Sequence, residues 1–94
     1  MTLAEANVAL RFNSLAEAQI AANGDLCSGY VYGISRIHEE GKEPRTVVIL
    51  RSERTGTLYH VMPETVRIVR WRVLDYIAAD LIAREEKRLA ALEE

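Results

Sequence analysis

The residues with which this chain could hold a metal or arm a nucleophile are His38, His60 and Cys27. Zinc sites and Cys–His pairs need such side chains at ligand spacing, and neither a His-x-x-x-His nor a second cysteine is present. His60 sits in the run Leu58-Tyr-His-Val-Met62 with no acid two positions away, so it reads as a surface histidine. Cys27 reads as a small apolar filler at the start of a strand. The adjacent carboxylates Glu39-Glu40, Glu85-Glu86 and Glu93-Glu94 cannot face each other, and they read as solvated charge rather than acid–base pairs. The glycines form no phosphate-cradling loop. No catalytic residue, cofactor site or metal site is expected, and the chain is not expected to be an enzyme.

A second set of residues points to binding. Arg51, Arg54, Arg67, Arg70 and Arg72 are interleaved with Tyr30, Tyr32, Tyr59, His60 and Trp71. Arginine grips phosphate bidentately, and aromatic rings on a sheet stack unpaired bases. The same enrichment marks protein interfaces. Strict strand alternation puts Thr65, Arg67, Val69 and Trp71 on one face and Val66, Ile68 and Arg70 on the other. That splits the arginines and weighs against a single nucleic-acid platform. The expectation is therefore a protein partner contacted through Arg51, Arg54, Tyr59, His60, Arg67, Arg70 and Trp71. Nucleic acid is the alternative ligand of the same surface.

Charge is spread unevenly around these residues. The formal net charge is −2, yet residues 44–72 carry six arginines against two glutamates, and residues 73–94 carry six acids against three bases. A local basic patch is allowed; a generally basic nucleic-acid binder is not. A lone cysteine excludes an intramolecular disulfide and suits a reducing compartment. The N-terminus lacks the features of a secretory signal, and no apolar run approaches the roughly 20 residues of a membrane span. A soluble, cytoplasmic protein without membrane contact is expected.

The elements that must carry these side chains fit one domain over 1–94, of α+β class. Thr2-Leu-Ala-Glu-Ala and Ser14-Leu-Ala-Glu-Ala both have capping-box chemistry. The second, followed by alanines and stopped by Asn23-Gly24, predicts a helix at about 15–23. Residues 3–13 combine a capping box with the strand-like alternation of Val8, Leu10 and Phe12, and are read as helical, so 1–24 forms an N-terminal helical segment. Residues 25–70 form a small antiparallel sheet of three to five strands. Residues 29–37 make a strand in which Gly29 and Gly33 mark a bulge or a close approach of backbones. Thr46–Leu50 is apolar on both parities and reads as a strand covered on both faces. Glu53–Gly56 is a hairpin turn, Thr57–Met62 the returning strand, Pro63-Glu64 a break, and Thr65–Val69 a last strand.

Over 71–94 the period becomes helical, with Leu74, Ile77, Leu81, Ile82, Leu89 and Leu92 making the apolar stripe. Some 22 residues give roughly 33 Å, longer than a small sheet is wide. Leu81, Ile82, Leu89 and Leu92 are accordingly the expected seam of a homodimer. GDLCSGYVYGI followed by LYHVMPETVRIV resembles the opening strand and the proline-interrupted last strands of SH3-like small barrels. The resemblance covers about half the chain and implies that the short strands curl into a barrel. Taken together, the sequence predicts a self-associating interaction module, an adaptor or inhibitor. Compact accessory proteins of phages and mobile elements share this size and absence of motifs.

Overall fold

Thr2 starts the first helix as its neighbours dictate: its Oγ1 accepts from the Glu5 amide at 3.2 Å, and the Glu5 carboxylate accepts from the Thr2 amide at 3.1 Å. The helix stops where Asn13 takes the left-handed conformation, φ 49°. In the computed structural model, which describes residues 1–92, the order is α1 (Leu3–Phe12), β1 (Leu15–Gln19), β2 (Leu26–Ile37), β3 (Arg45–Arg51), β4 (Leu58–Val61), a 3₁₀ turn at Pro63–Thr65, β5 (Arg67–Arg70) and α2 (Asp75–Leu92). The five strands form one antiparallel sheet in the order β4-β3-β2-β1-β5. The fold is α+β, as expected.

The expected helix at 15–23 is a strand. Leu15, Glu17 and Gln19 alternate with buried Ala16 and Ala18, a period of two that places the alanines against the core. Ser14, whose hydroxyl was expected to cap a helix, is fully buried; its Oγ accepts from the Arg72 amide at 3.3 Å and its carbonyl accepts from the Val31 amide at 2.9 Å. Tertiary hydrogen bonds thus outweigh the small local preference for helix. Asn23-Gly24 turns β1 into β2 instead of ending a helix: Gly24 has φ +74°, and the Ile20 amide donates to the Asp25 carbonyl at 2.9 Å. The N-terminal helical segment therefore ends near residue 12, and the sheet begins at 15 rather than 25.

One face of the sheet forms the core. Ala6 and Ala9 of α1 pack over Ala16, Val31, Val48 and Leu50, the small alanines letting the helix sit close to the strands. Val47 and Val48 point to opposite sides of β3 and are 2% and 0% exposed, so the middle of that strand is covered on both faces. At Gly29, an added Cβ would stand 2.7 Å from the Arg51 carbonyl carbon, which explains the glycine as a close approach of backbones. α2 lies on α1.

The sheet is not closed into a barrel. β4 and β5 are its two edges, and among the described residues only one isolated bridge, Ile20 to Val61, links the end of β1 to β4. It is flanked by bonds from the Ala21 amide to the His60 carbonyl (2.9 Å) and from the Met62 amide to the Gln19 carbonyl (3.3 Å). β1 is only five residues long and turns away at Ile20, so no continuous ladder forms there. Among the described residues no helix is long and apolar enough to cross a membrane.

Candidate binding face of the sheet

Two β-bulges determine what the open face of the sheet presents. Along β1 and β5, Glu17 stands opposite Arg67 and Ala16 opposite Ile68, but Leu15 stands opposite Arg70, leaving Val69 as an extra residue. Strict alternation would have separated Arg67 from Arg70. The bulge puts both on the side of Leu15 and Glu17, away from the core, while Ile68 stays inward. The arginines are not split between faces.

The second bulge lies in β2. Val31 pairs with Leu50 and Gly33 with Ile49, leaving Tyr32 as the additional residue. Its ring is pushed out, 52% exposed, beside Tyr30. Cross-strand register then assembles a row over the open face: Arg70 of β5, Leu15 of β1, Tyr30 of β2, Arg51 of β3 and Leu58 of β4. The Arg51 guanidinium lies over the Tyr32 ring at 5.8 Å, and that of Arg72 over the Tyr30 ring at 5.6 Å. The Tyr30 hydroxyl donates to Glu53 at 3.1 Å. Beside this row is an open depression of about 740 Å³, lined by Leu15, Tyr30, Glu53, Arg70, Trp71 and Arg72 among others.

The charges on this face are unevenly neutralised. Arg67 is held by Glu17, with Nε donating at 2.8 Å. Among the described residues, none of Arg51, Arg54, Arg70 and Arg72 has a carboxylate within ion-pair distance. All four are exposed. Cations left unpaired beside tyrosine rings form a surface suited to an anionic ligand with flat groups.

Of the seven residues expected to bind, Arg51, Arg67 and Arg70 share this face, and Trp71 is half-buried at its edge, packed against the core. Arg54 lies in the β3–β4 turn and His60 on exposed β4, opposite Ile49. Tyr59 does not join them: it pairs with Leu50 and packs against the core. Tyr30, Tyr32 and Arg72 belong to the site more directly, and their residue types, already part of the basic–aromatic pattern, are the signal that marks them. Of the expected seam, Leu81, Ile82 and Leu89 are half-buried along the α2 stripe that also holds buried Ala78 and Glu85, while Leu92 is 69% exposed.

Cys27 is half-buried on β2, and burial pushes its thiol up, which lowers the thiolate fraction a nucleophile would need. Among the described residues, no group of three or more His, Cys, Asp and Glu side chains is placed to hold a metal ion. Comparison of the chain with protein-family models, with curated proteins and with solved structures gives no match.

Proposed function

We propose that the chain is a small, non-enzymatic, cytoplasmic interaction module, an adaptor or inhibitor, whose partner brings acidic or phosphate groups to the open face of the sheet. The observation that carries this reading is the gathering of Arg51, Arg70 and Arg72, free of carboxylate partners among the described residues, around Tyr30 and Tyr32 on one face. Its shape also favours docking over chemistry. Catalysis is helped by a site that excludes water, and this face is an open row of spaced cations.

Trp71 lines the depression and reports directly on the face. Its fluorescence is expected to change on titration with heparin, a polyanion without aromatic bases, with affinity falling as salt rises. Arg51→Glu combined with Arg70→Glu is expected to weaken that binding at least tenfold. No heparin binding at low salt would refute the reading.

Self-association through α2 is a second reading, favoured by a difference in length. The 18 residues of α2 span about 27 Å and the ten of α1 about 15 Å, so α1 cannot cover all of α2, and at the C-terminal end of α2 Leu92 is 69% exposed. There Leu89 and exposed Leu92 continue the stripe of Ala78 and Glu85, and a second copy would cover them. Sedimentation equilibrium is expected to give a dimer that dissociates in Leu89→Asp/Leu92→Asp. A monomer at every concentration would rule it out.

A further inference from the structure

We infer that the ligand of the open sheet face is a single-stranded nucleic acid whose unpaired bases stack at Tyr30 and Tyr32. This inference rests on the anion-binding reading above and names the partner class. Its first support is the pairing of each ring with a cation, Arg72 over Tyr30 and Arg51 over Tyr32. A nucleotide brings the complement of that unit, one flat base and one phosphate. An exposed cation–π contact is weaker than the stacking of a base on an aromatic ring. An arriving base therefore takes the ring, or caps the guanidinium plane, and a displaced guanidinium is free to bind the adjoining phosphate.

Spacing discriminates between single and double strands. Tyr30 and Tyr32 are two residues apart on β2, about 6.6 Å at the usual strand rise and somewhat less across the bulge that holds Tyr32. Bases in a duplex follow one another at about 3.4 Å, half that distance, and keep their faces covered. Two rings at the wider spacing accept splayed, unstacked bases. Across the strands, Arg70 and Arg51 stand on either side of Tyr30, three strand intervals apart or about 14 Å, so phosphates on both sides of a stacked base meet a cation. Glu53, the one acid lining the depression among the described residues, is held by the Tyr30 hydroxyl at 3.1 Å. An acidic protein surface would satisfy the arginines but supplies carboxylates without flat faces to occupy both rings.

The test compares ligands at equal phosphate concentration: a twelve-nucleotide oligothymidylate, the same backbone with abasic spacers, and a duplex of that length, which carries two such strands. Heparin and polyglutamate serve as base-free controls. The oligothymidylate is expected to bind roughly tenfold or more tighter than the abasic strand, from one or two stacked bases. Tyr30→Leu/Tyr32→Leu is expected to erase that preference, so that the oligothymidylate and abasic strands bind equally. If the double variant melts early, Tyr32→Leu alone serves, because that ring is outside the core. Equal binding of the oligothymidylate and abasic strands, or tighter binding of the duplex or of polyglutamate, would overturn the inference and leave the anion-binding face standing. Failure of every polyanion, heparin included, would overturn both.

Discussion

Glu85 of α2 accepts a 2.7 Å hydrogen bond from the Nδ2 of Asn7 on α1, joining two positions 78 residues apart. The carboxylate is 6% exposed and is held from its own helix by Arg88, whose Nε and Nη2 donate at 2.6 and 2.8 Å. With both carboxylate oxygens of Glu85 accepting hydrogen bonds, this small network ties α2 to α1 where an unpaired charge would drive them apart.

The hydrogen bond from Arg88 is the largest influence on Glu85; with the Asn7 bond and the charges of Arg88 and Arg11 it outweighs burial and lowers the carboxyl from its ordinary 4.5 to about 2. A carboxyl depressed in the folded state stabilises it above the unfolded value, and that contribution is lost as pH falls through the folded one. Thermal melting of the wild type and Glu85→Gln is therefore expected to show a wild-type advantage at neutral pH. The advantage narrows between about pH 4.5 and pH 2. Two melting curves that stay parallel through that window would exclude the network as the cause.

Glu17 and Arg67 are paired in the open, with their side chains 45% and 74% exposed. An exposed pair contributes about 0–1 kcal/mol, so Glu17→Gln should leave the melting temperature nearly unchanged. It also releases Arg67 to the row of cations. Affinity for oligothymidylate is expected to rise a few-fold, and the slope of log affinity against log salt to steepen by about 0.7, the value of one added phosphate contact on a single strand. A loss of affinity would mean that Glu17 positions Arg67 for the ligand.

Much of the fold was legible because its signals are local: the Thr2 capping box, the glycine turn after Glu53 and the break at Pro63 appear as read, and the C-terminal helical period appears as α2, which starts at Asp75 rather than at 71. Ser14-Leu-Ala-Glu-Ala shows where that legibility ends. It repeats the local code of Thr2-Leu-Ala-Glu-Ala and forms a strand, because Ser14 bonds to Arg72 and Glu17 to Arg67, 58 and 50 positions away. No window of a few residues contains those partners. The binding face was legible in residue type but not in placement. Only the glycine after Tyr32 hints at a bulge there, and nothing local marks the one at Val69.

Gly29 shows how strictly the curled sheet restricts side chains. A methyl group there would collide with the Arg51 carbonyl and stand 3.1 Å from the Ser52 amide nitrogen, all backbone that cannot rotate away. Gly29→Ala is expected to cost about 1–3 kcal/mol in denaturant unfolding, as overpacking does. Gly24→Ala offers the contrast. Nothing lies within 4 Å of its added Cβ, so only the positive φ of 74° opposes it. A loss at Gly29 no larger than that at Gly24 would show that the strands part easily and that the close approach at Arg51 does not set the cost.

The bulge at Val69 makes a prediction that strict alternation would reverse. With Val69 as the extra residue, deleting it leaves Arg67 opposite Glu17, Ile68 opposite Ala16 and Arg70 opposite Leu15, now in a regular ladder. The arginines keep their face and Ile68 keeps its place in the core. Trp71 is drawn about one strand step closer, roughly 3.3 Å, so some stability is lost. Heparin affinity of the deletion variant is expected to stay within about threefold of wild type. Had Arg67 and Arg70 lain on opposite faces, removing the residue between Ile68 and Arg70 would unite them, and affinity would rise by an added contact. A marked gain on deletion would therefore sink the bulge and, with it, the single basic face.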